Sequence, residues 1–384
     1  MGMAEPAKPG APGSRSSRFE WLDLARLFAV GMVILYHFGW RGAMADDHLT
    51  TAVLPEWGSV SIYGYFGVKL FFVISGFVIS FSAANRTALA FAIARFARIY
   101  PTFLLCMTVT FLATLALGGG VFSASLGRWA ANAAFVPAMA VQKLTMDGAY
   151  WSIYAEVVFY GWIGALLAAG WFDKRLLLVV MFWLLLSALG EAMGAPLVMR
   201  RMLLIDNSGF FAAGVVIFLL AKDGFSWNAV LVLAATTACA SMQALREGLI
   251  MRDFLHAPLR ANVLLALTFG SIALVGAAAR WRVTPFPSAL VLAVGGVTYP
   301  LYLLHQNIGY MIFNAFGARF SPEAMIAAVV LFLIVLSWLV WRLFDRPAQK
   351  VVGRELTALC ARRFSSRRVA PRARDEMTIS SPGA

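Results

Sequence analysis

Long apolar segments separated by short polar connections run from residue 20 to residue 344. Apolar runs of about 17–25 residues have the length that crosses a bilayer as an α-helix. The pattern predicts an all-α, polytopic integral membrane protein with about ten transmembrane helices. With an even number of spans, both termini lie on the same side of the membrane. The predicted spans are 20–40, 60–83, 99–119, 150–171, 175–192, 207–221, 227–244, 260–279, 287–316 and 324–344.

Polar tails flank the apolar region at both ends. Residues 1–18 are rich in Pro, Gly, Ser and basic residues, which predicts a disordered N-terminal tail. Residues 349–384 are basic and predict a disordered C-terminal tail. A single membrane domain over 19–348 remains between them.

Two segments depart from the simple pattern. Residues 120–149 are moderately apolar and contain Pro137, so they predict either a long outer loop or a re-entrant segment. The ninth span contains Tyr299 followed by Pro300, and a proline inside a helix predicts a kink.

Composition supports the membrane class and narrows the partners. The chain is 61% hydrophobic and 13% charged, against roughly 25% charged residues in soluble domains. The net charge of +13 does not indicate nucleic acid, because ten of the 32 basic residues lie between Arg342 and Arg374, after the last span. The distribution of Lys and Arg predicts that both termini are cytoplasmic. The three cysteines lack metal-ligand spacing, so no metal site is predicted.

The first span contains charged residues that a membrane helix usually avoids. Its sequence LDLARLFAVGMVILYHFGW includes Asp23, Arg26 and His37, and an ionisable side chain at membrane depth usually marks a functional site. Arg26 and His37 are eleven residues apart, which places them on one helical face about 16 Å apart. Asp23 can pair with Arg26 at i,i+3. The alternative is an arginine that reaches the interface and a histidine at the headgroup level.

Two other spans carry polar residues in their outer halves. Glu156 lies in WSIYAEVVFY and His305 in YPLYLLHQNIGY. Counting along each helix places His37, Glu156 and His305 at a similar depth, which favours a shared polar site over three separate buried groups. We expect His48 and His256 to be surface residues of outer loops.

A second polar cluster precedes the third span. The stretch FAIARFARIYP places Arg95 and Arg98 at i,i+3 on one helical face. Guanidinium groups suit phosphate binding, so the pair predicts an anion site that Arg26 could also face. The alternative is the ordinary enrichment of basic residues at the cytoplasmic ends of spans.

Six short motifs in this order resemble the acyltransferase family 3 membrane proteins, the bacterial O-acyltransferases of surface glycans. The resemblance covers residues from about 18 to 348. The motifs are LDLARLFAVGMVILYH, GYFGVKLFFVISGFVIS, RFARIYP, WSIYAEVVFY, TYPLYLLH and FDRP.

The resemblance implies an enzyme of the bacterial inner membrane. It implies transfer of an acyl group, most often acetyl, from cytoplasmic acyl-CoA to a hydroxyl of a glycan or lipid-linked glycan acceptor. The family's essential first-helix pair corresponds to Arg26 and His37, and its acidic residue and late histidine to Glu156 and His305. Its CoA-side arginines correspond to Arg95 and Arg98. Acyl transfer to a hydroxyl needs a base, for which a histidine is the usual choice, so we expect His37 to be the base, with Glu156 or His305 orienting it or the acceptor. The alternative is that His37 carries the acyl group covalently.

The chain departs from the family at two positions. Lys69 stands where many members have Asp or Glu, and it could meet an anion or pair with Glu156. WSIYAEVVFY has one acid where relatives often have two. Together with Asp23 and Trp151, Lys69 is expected to support the site rather than to react.

Two other classes of function compete with the enzyme. A transporter or flippase would use the buried His, Glu and Arg residues as a proton or substrate path. A membrane sensor or scaffold would retain the fold without binding CoA. The set of motifs favours the transferase.

Overall fold

Helices make up almost all of the structure, a computed structural model, and the residues that it describes contain no β-strand. It describes residues 19–44, 49–50, 57–135, 145–255, 259–281 and 283–366. The main α-helices are α1 (Glu20–Tyr36), α2 (Gly67–Ala83), α3 (Ala88–Leu117), α4 (Leu126–Ala133), α5 (Trp151–Ala168), α6 (Phe172–Ala192), α7 (Leu197–Met202), α8 (Ser208–Asp223), α9 (Trp227–Leu255), α10 (Ala261–Arg280), α11 (Ser288–Phe316), α12 (Pro322–Leu339) and α13 (Arg346–Ser366).

Nine helical segments among the described residues are long and apolar enough to cross a membrane. The sixth predicted span, 207–221, is the one without such a segment; it corresponds to α8, which has only 16 residues. Its residues from Ser208 to Phe218 are all buried, and it packs against α2, α6, α9 and α10. The polytopic all-α prediction is confirmed, and α8 forms the centre of the bundle.

A close crossing of α2 and α8 depends on two glycines. A Cβ atom added at Gly76 would lie 2.1 Å from the carbonyl oxygen of Phe211, and one added at Gly214 would lie 2.1 Å from that of Val73. Small residues at helix crossings let backbones approach closely inside membranes.

Alanine at either glycine is expected to destabilise the protein by about 1–3 kcal/mol, because the helices must move apart. The thermal midpoint of the detergent-purified variants measures the effect. Gly270→Ala in α10 is the matched control, since nothing lies within 4 Å of its added Cβ. Equal midpoints for Gly76→Ala and Gly270→Ala would contradict the close crossing.

The third span begins earlier than its hydropathy predicts. The prediction placed its start at residue 99, but α3 begins at Ala88, where the hydroxyl of Thr87 accepts a hydrogen bond from the amide of Ala90. Arg95 and Arg98 therefore lie inside α3 and not before it.

The loop and tail predictions are partly corrected. The segment 120–149 contains α4, and its residues 136–144 lie outside the described part of the chain. The predicted tail 1–18 and residues 367–384 also lie outside it, but 349–366 is helical rather than disordered. This helix packs along α3, with Gly353 next to Ala97.

Two π-helical segments interrupt the α-helical pattern. His37–Arg41 extends α1, and Val340–Asp345 joins α12 to α13. By contrast, α11 continues through Pro300 without ending there. Turns of π-helix are rare and frequently lie at functional sites.

Candidate active site

His37 and His305 lie next to each other inside the bundle. Their ring centroids are 5.0 Å apart, although α1 and α11 are separated by more than 250 residues in sequence. His37 is the first residue of a π-helical segment, and His305 is completely buried. The structure therefore brings together two of the three residues that were predicted to share a depth.

Hydrogen bonds orient both imidazole rings. The hydroxyl of Tyr310 donates to the carbonyl oxygen of His37 and lies 2.9 Å from Nδ1 of His37. In this arrangement the hydroxyl oxygen accepts from Nδ1–H, which leaves the lone pair of the neutral ring on Nε2. Nδ1 of His305 likewise donates to the carbonyl oxygen of Tyr302 at 2.8 Å.

The second ring nitrogen of His305 has no hydrogen-bond partner in the part of the chain that the structure describes. Its Nε2 is buried and makes no hydrogen bond within the described residues. A buried polar atom without a partner is uncommon and often belongs to a catalytic or ligand site. Two adjacent imidazoles thus present lone pairs, and a neutral imidazole with a free lone pair can take up a proton as a general base.

The three arginines that were predicted to form an anion site lie around one narrow cavity of about 100 Å³. Arg26, Arg95 and Arg98 line it together, as the anion-site prediction requires. Nε of Arg95 is buried without a hydrogen-bond partner in the described part of the chain, so one of its donors is unused. The other lining residues include Phe71, Phe72, Ser75, Val78, Ile79, Ile99, Ser152, Ile153, Glu156, Tyr160, Thr298, Tyr299 and Tyr302.

Glu156 belongs to this arginine cavity and not to the histidine pair. Its carboxylate accepts hydrogen bonds from Tyr160 at 2.7 Å and from Ser75 at 3.2 Å. No hydrogen bond joins it to either histidine in the described residues. These contacts place Glu156 with the arginines, and its similar depth to the two histidines stays a prediction.

Tyr302 separates the cavity from the histidines. Its side chain lines the cavity, while its carbonyl oxygen holds His305. Its hydroxyl bonds to Ser152 at 2.6 Å and donates to the carbonyl oxygen of Ala149 at 3.1 Å. A ligand that reaches from the arginines to the histidines must pass this tyrosine.

Asp345, in the FDRP motif, contacts one of the cavity arginines, Arg98, but does not line the cavity itself. The carboxylate is buried and accepts hydrogen bonds from Thr102 at 2.5 Å and Gln349 at 2.8 Å. It also lies 3.6 Å from the guanidinium of Arg98. The π-helical segment that ends at Asp345 directs this carboxylate toward α3.

The expected support residues divide into two groups. Arg26 pairs with Asp23 at 2.9 Å, as the i,i+3 spacing predicts. Lys69 does not pair with Glu156 but with Glu247 on α9, and its ammonium donates to Asn207 at 2.6 Å. Trp151 packs near it, with the ammonium 5.9 Å from the centre of its ring.

Sequence reasoning missed Tyr302, Tyr310 and Asp345 as parts of the site. Tyr302 and Asp345 each lie in a motif that was singled out, but a hydrophobic pattern does not report hydrogen-bond partners. Tyr310 stands five residues after His305, and only the packing of α1 against α11 shows its contact with His37. His48 and His256 lie outside the described residues.

The fold and the site define a polytopic membrane protein with a paired histidine centre beside an arginine-lined cavity. Comparison with known families then gives a match to the acyltransferase domain family over residues 19–342. This match covers most of the chain, which therefore belongs to that family and is a membrane acyltransferase. No curated protein and no solved structure matches the chain.

Proposed function

We propose that the protein is an O-acyltransferase that moves an acyl group, preferably acetyl, from acyl-CoA to a hydroxyl of an envelope or exported glycan. The observation that carries this proposal is the order of groups along the bundle. Arginines line one cavity, Tyr302 follows, and the histidine pair lies beyond it. Such an order suits a long donor with phosphates at one end and a thioester at the other.

The arginines would hold the donor by its charged end. Arg26, Arg95 and Arg98 offer guanidinium donors to the CoA phosphates from the side on which α1 begins, which the charge distribution predicts to be cytoplasmic. The cavity of about 100 Å³ holds only a few water-sized groups. Donor binding therefore requires this cavity to widen.

The histidines would carry out the proton transfer. Nε2 of His37 takes the proton of the acceptor hydroxyl, and the oxygen attacks the thioester carbonyl. The tetrahedral intermediate then collapses, the C–S bond breaks, and the proton passes to the leaving thiolate to give free CoA. His305 would orient the acceptor hydroxyl or share the proton, and Glu156 would bind donor atoms near the arginines instead of assisting His37.

Acetyl-CoA binding tests the donor site without knowledge of the acceptor. Calorimetry with the detergent-purified protein is expected to show saturable binding, weakened about 10-fold or more by Arg98→Ala or Arg95→Ala, because a hydrogen bond to a charged group contributes about 1.5–3 kcal/mol. Arg26→Ala should act in the same direction.

The control for this measurement is Arg175→Ala. Arg175 is exposed, lies over the ring of Trp171 and does not line the cavity, so binding should change less than about two-fold. Equal binding by all four variants would place the donor elsewhere. No binding by a folded sample would favour the transporter instead.

A further inference from the structure

A short segment before α5 holds the histidine-bearing turn of α11. Ala149 accepts a hydrogen bond from Tyr302 through its carbonyl oxygen, and Met146 accepts one from the side-chain amide of Asn307 at 3.0 Å. Tyr302 and Asn307 lie on either side of His305. The turn that positions His305 is therefore tied at both of its ends to residues 146–149.

Asp147 lies in this segment and adds a third connection to α11 through its carboxylate. Its Oδ1 accepts the amide hydrogen of Ala149 at 2.9 Å, and its Oδ2 accepts the amide hydrogen of Asn307 at 3.0 Å. The first bond caps the start of the helix that leads into α5. The second reaches a backbone amide inside α11, two residues after His305.

We propose that Asp147 is a positioning residue for acyl transfer: its Oδ2 fixes the 302–307 turn of α11 and thereby the ring of His305. The inference rests on the proposed function for its catalytic meaning, but the positioning itself rests on these contacts alone. Asp147 touches neither reacting atom. It acts through the backbone of α11.

The charge state of Asp147 suits this role. Burial raises the pKa of Asp147 to about 6, while the hydrogen bonds from the Ala149 and Asn307 amides act in the opposite direction. The carboxylate is therefore ionised at neutral pH, and both backbone hydrogen bonds are charge-assisted. A side chain that is only a helix cap needs one acceptor oxygen, whereas Asp147 uses both.

Two substitutions distinguish the hydrogen bond that caps the helix, from Ala149, from the hydrogen bond to α11, from Asn307. Asn and Ser are both good N-cap residues, so Asp147→Asn and Asp147→Ser keep an acceptor for the amide of Ala149. Neither keeps a second carboxylate oxygen for Asn307, since Asn places an NH₂ group there and Ser is too short. Asn307→Ala is the control that removes the side-chain bond to Met146 and leaves the backbone amide on Asp147.

The test combines kinetics with chemical labelling. Asp147→Asn is expected to lower kcat for acyl transfer about 10–100-fold, because small displacements of catalytic groups have effects of this size. Its KM for acetyl-CoA should stay within about two-fold, since the three arginines that line the cavity lie on α1 and α3 and not on the 302–307 turn. The rate at which diethyl pyrocarbonate modifies His305, measured by mass spectrometry, should rise at least about ten-fold as the tie is lost.

Labelling distinguishes failure of this inference from failure of the proposed function. It needs neither donor nor acceptor, so it reports on His305 even in a protein that transfers no acyl group. Wild-type labelling rates at His305 in both Asp147 variants would overturn the positioning role. So would equal increases at His37 and His305 with a lower thermal midpoint, because that result indicates general loosening.

Discussion

Replacing His37 by alanine is expected to lower kcat about 10²–10⁴-fold, the range that a general base contributes. The loss should appear in kcat and leave the affinity for acetyl-CoA unchanged, because His37 lies beyond Tyr302 from the arginine cavity. The measurement is transfer of radiolabelled acetyl groups from acetyl-CoA to envelope material in isolated membranes, beside calorimetry on the purified variant.

Two further variants refine this assignment. His305→Ala should give a loss of similar size, and the double variant should be little worse than either single one, because groups that act as a unit are not additive. Tyr310→Phe keeps the ring but removes the hydroxyl that orients His37, so an intermediate loss of about ten-fold is expected. Full transfer activity in His37→Ala membranes would refute the base assignment.

Replacing Glu247 by alanine is expected to destabilise the protein by about 3–5 kcal/mol, because it leaves a buried ammonium without its carboxylate. Lys69 is only 2% exposed, whereas Glu247 is 29% exposed. The reverse change, Lys69→Met, leaves a carboxylate that is already partly accessible, so it should cost much less. The midpoint of unfolding in detergent and the yield of folded protein both report the difference.

The double variant Lys69→Met/Glu247→Met is the decisive control. Removing both charges of a buried pair is often close to neutral, so the double variant should recover most of the stability lost in Glu247→Ala. If Lys69→Met lost as much stability as Glu247→Ala, the difference in burial between the two side chains would not determine the cost of breaking this pair. If the double variant were the least stable of the three, a further role of the pair would be required.

The histidine pair could be predicted from the sequence because hydropathy reports depth. In the predicted orientation, His37 and His305 each lie in the outer half of a long apolar span, so counting residues along the two helices places them at one level. Pairing of Asp23 with Arg26 followed from helical spacing alone. These predictions use distances along one helix, which sequence determines well.

Predictions of contacts between residues on different helices were less accurate. Glu156 was grouped with the histidines but lines the arginine cavity, and Ser152, one turn earlier in α5, is the residue that bonds to Tyr302. The partner of Lys69 was missed because the predicted seventh span ended at 244, whereas α9 continues to Leu255 and includes Glu247. A polar helix end has no hydrophobic signal, so the sequence gives no reason to look for a buried partner there.

The position of Tyr302 also bears on whether ions can leak across the membrane through this protein. An enzyme with a donor cavity open to one side of a bilayer and an acceptor open to the other carries the risk of becoming a leak for ions. Tyr302 lies between the arginine cavity and the histidine pair, with its hydroxyl bonded to Ser152 and to the carbonyl oxygen of Ala149. Under the proposed function, we expect this tyrosine to keep water columns from opposite faces apart, so that the electrochemical gradient persists while the protein is at rest.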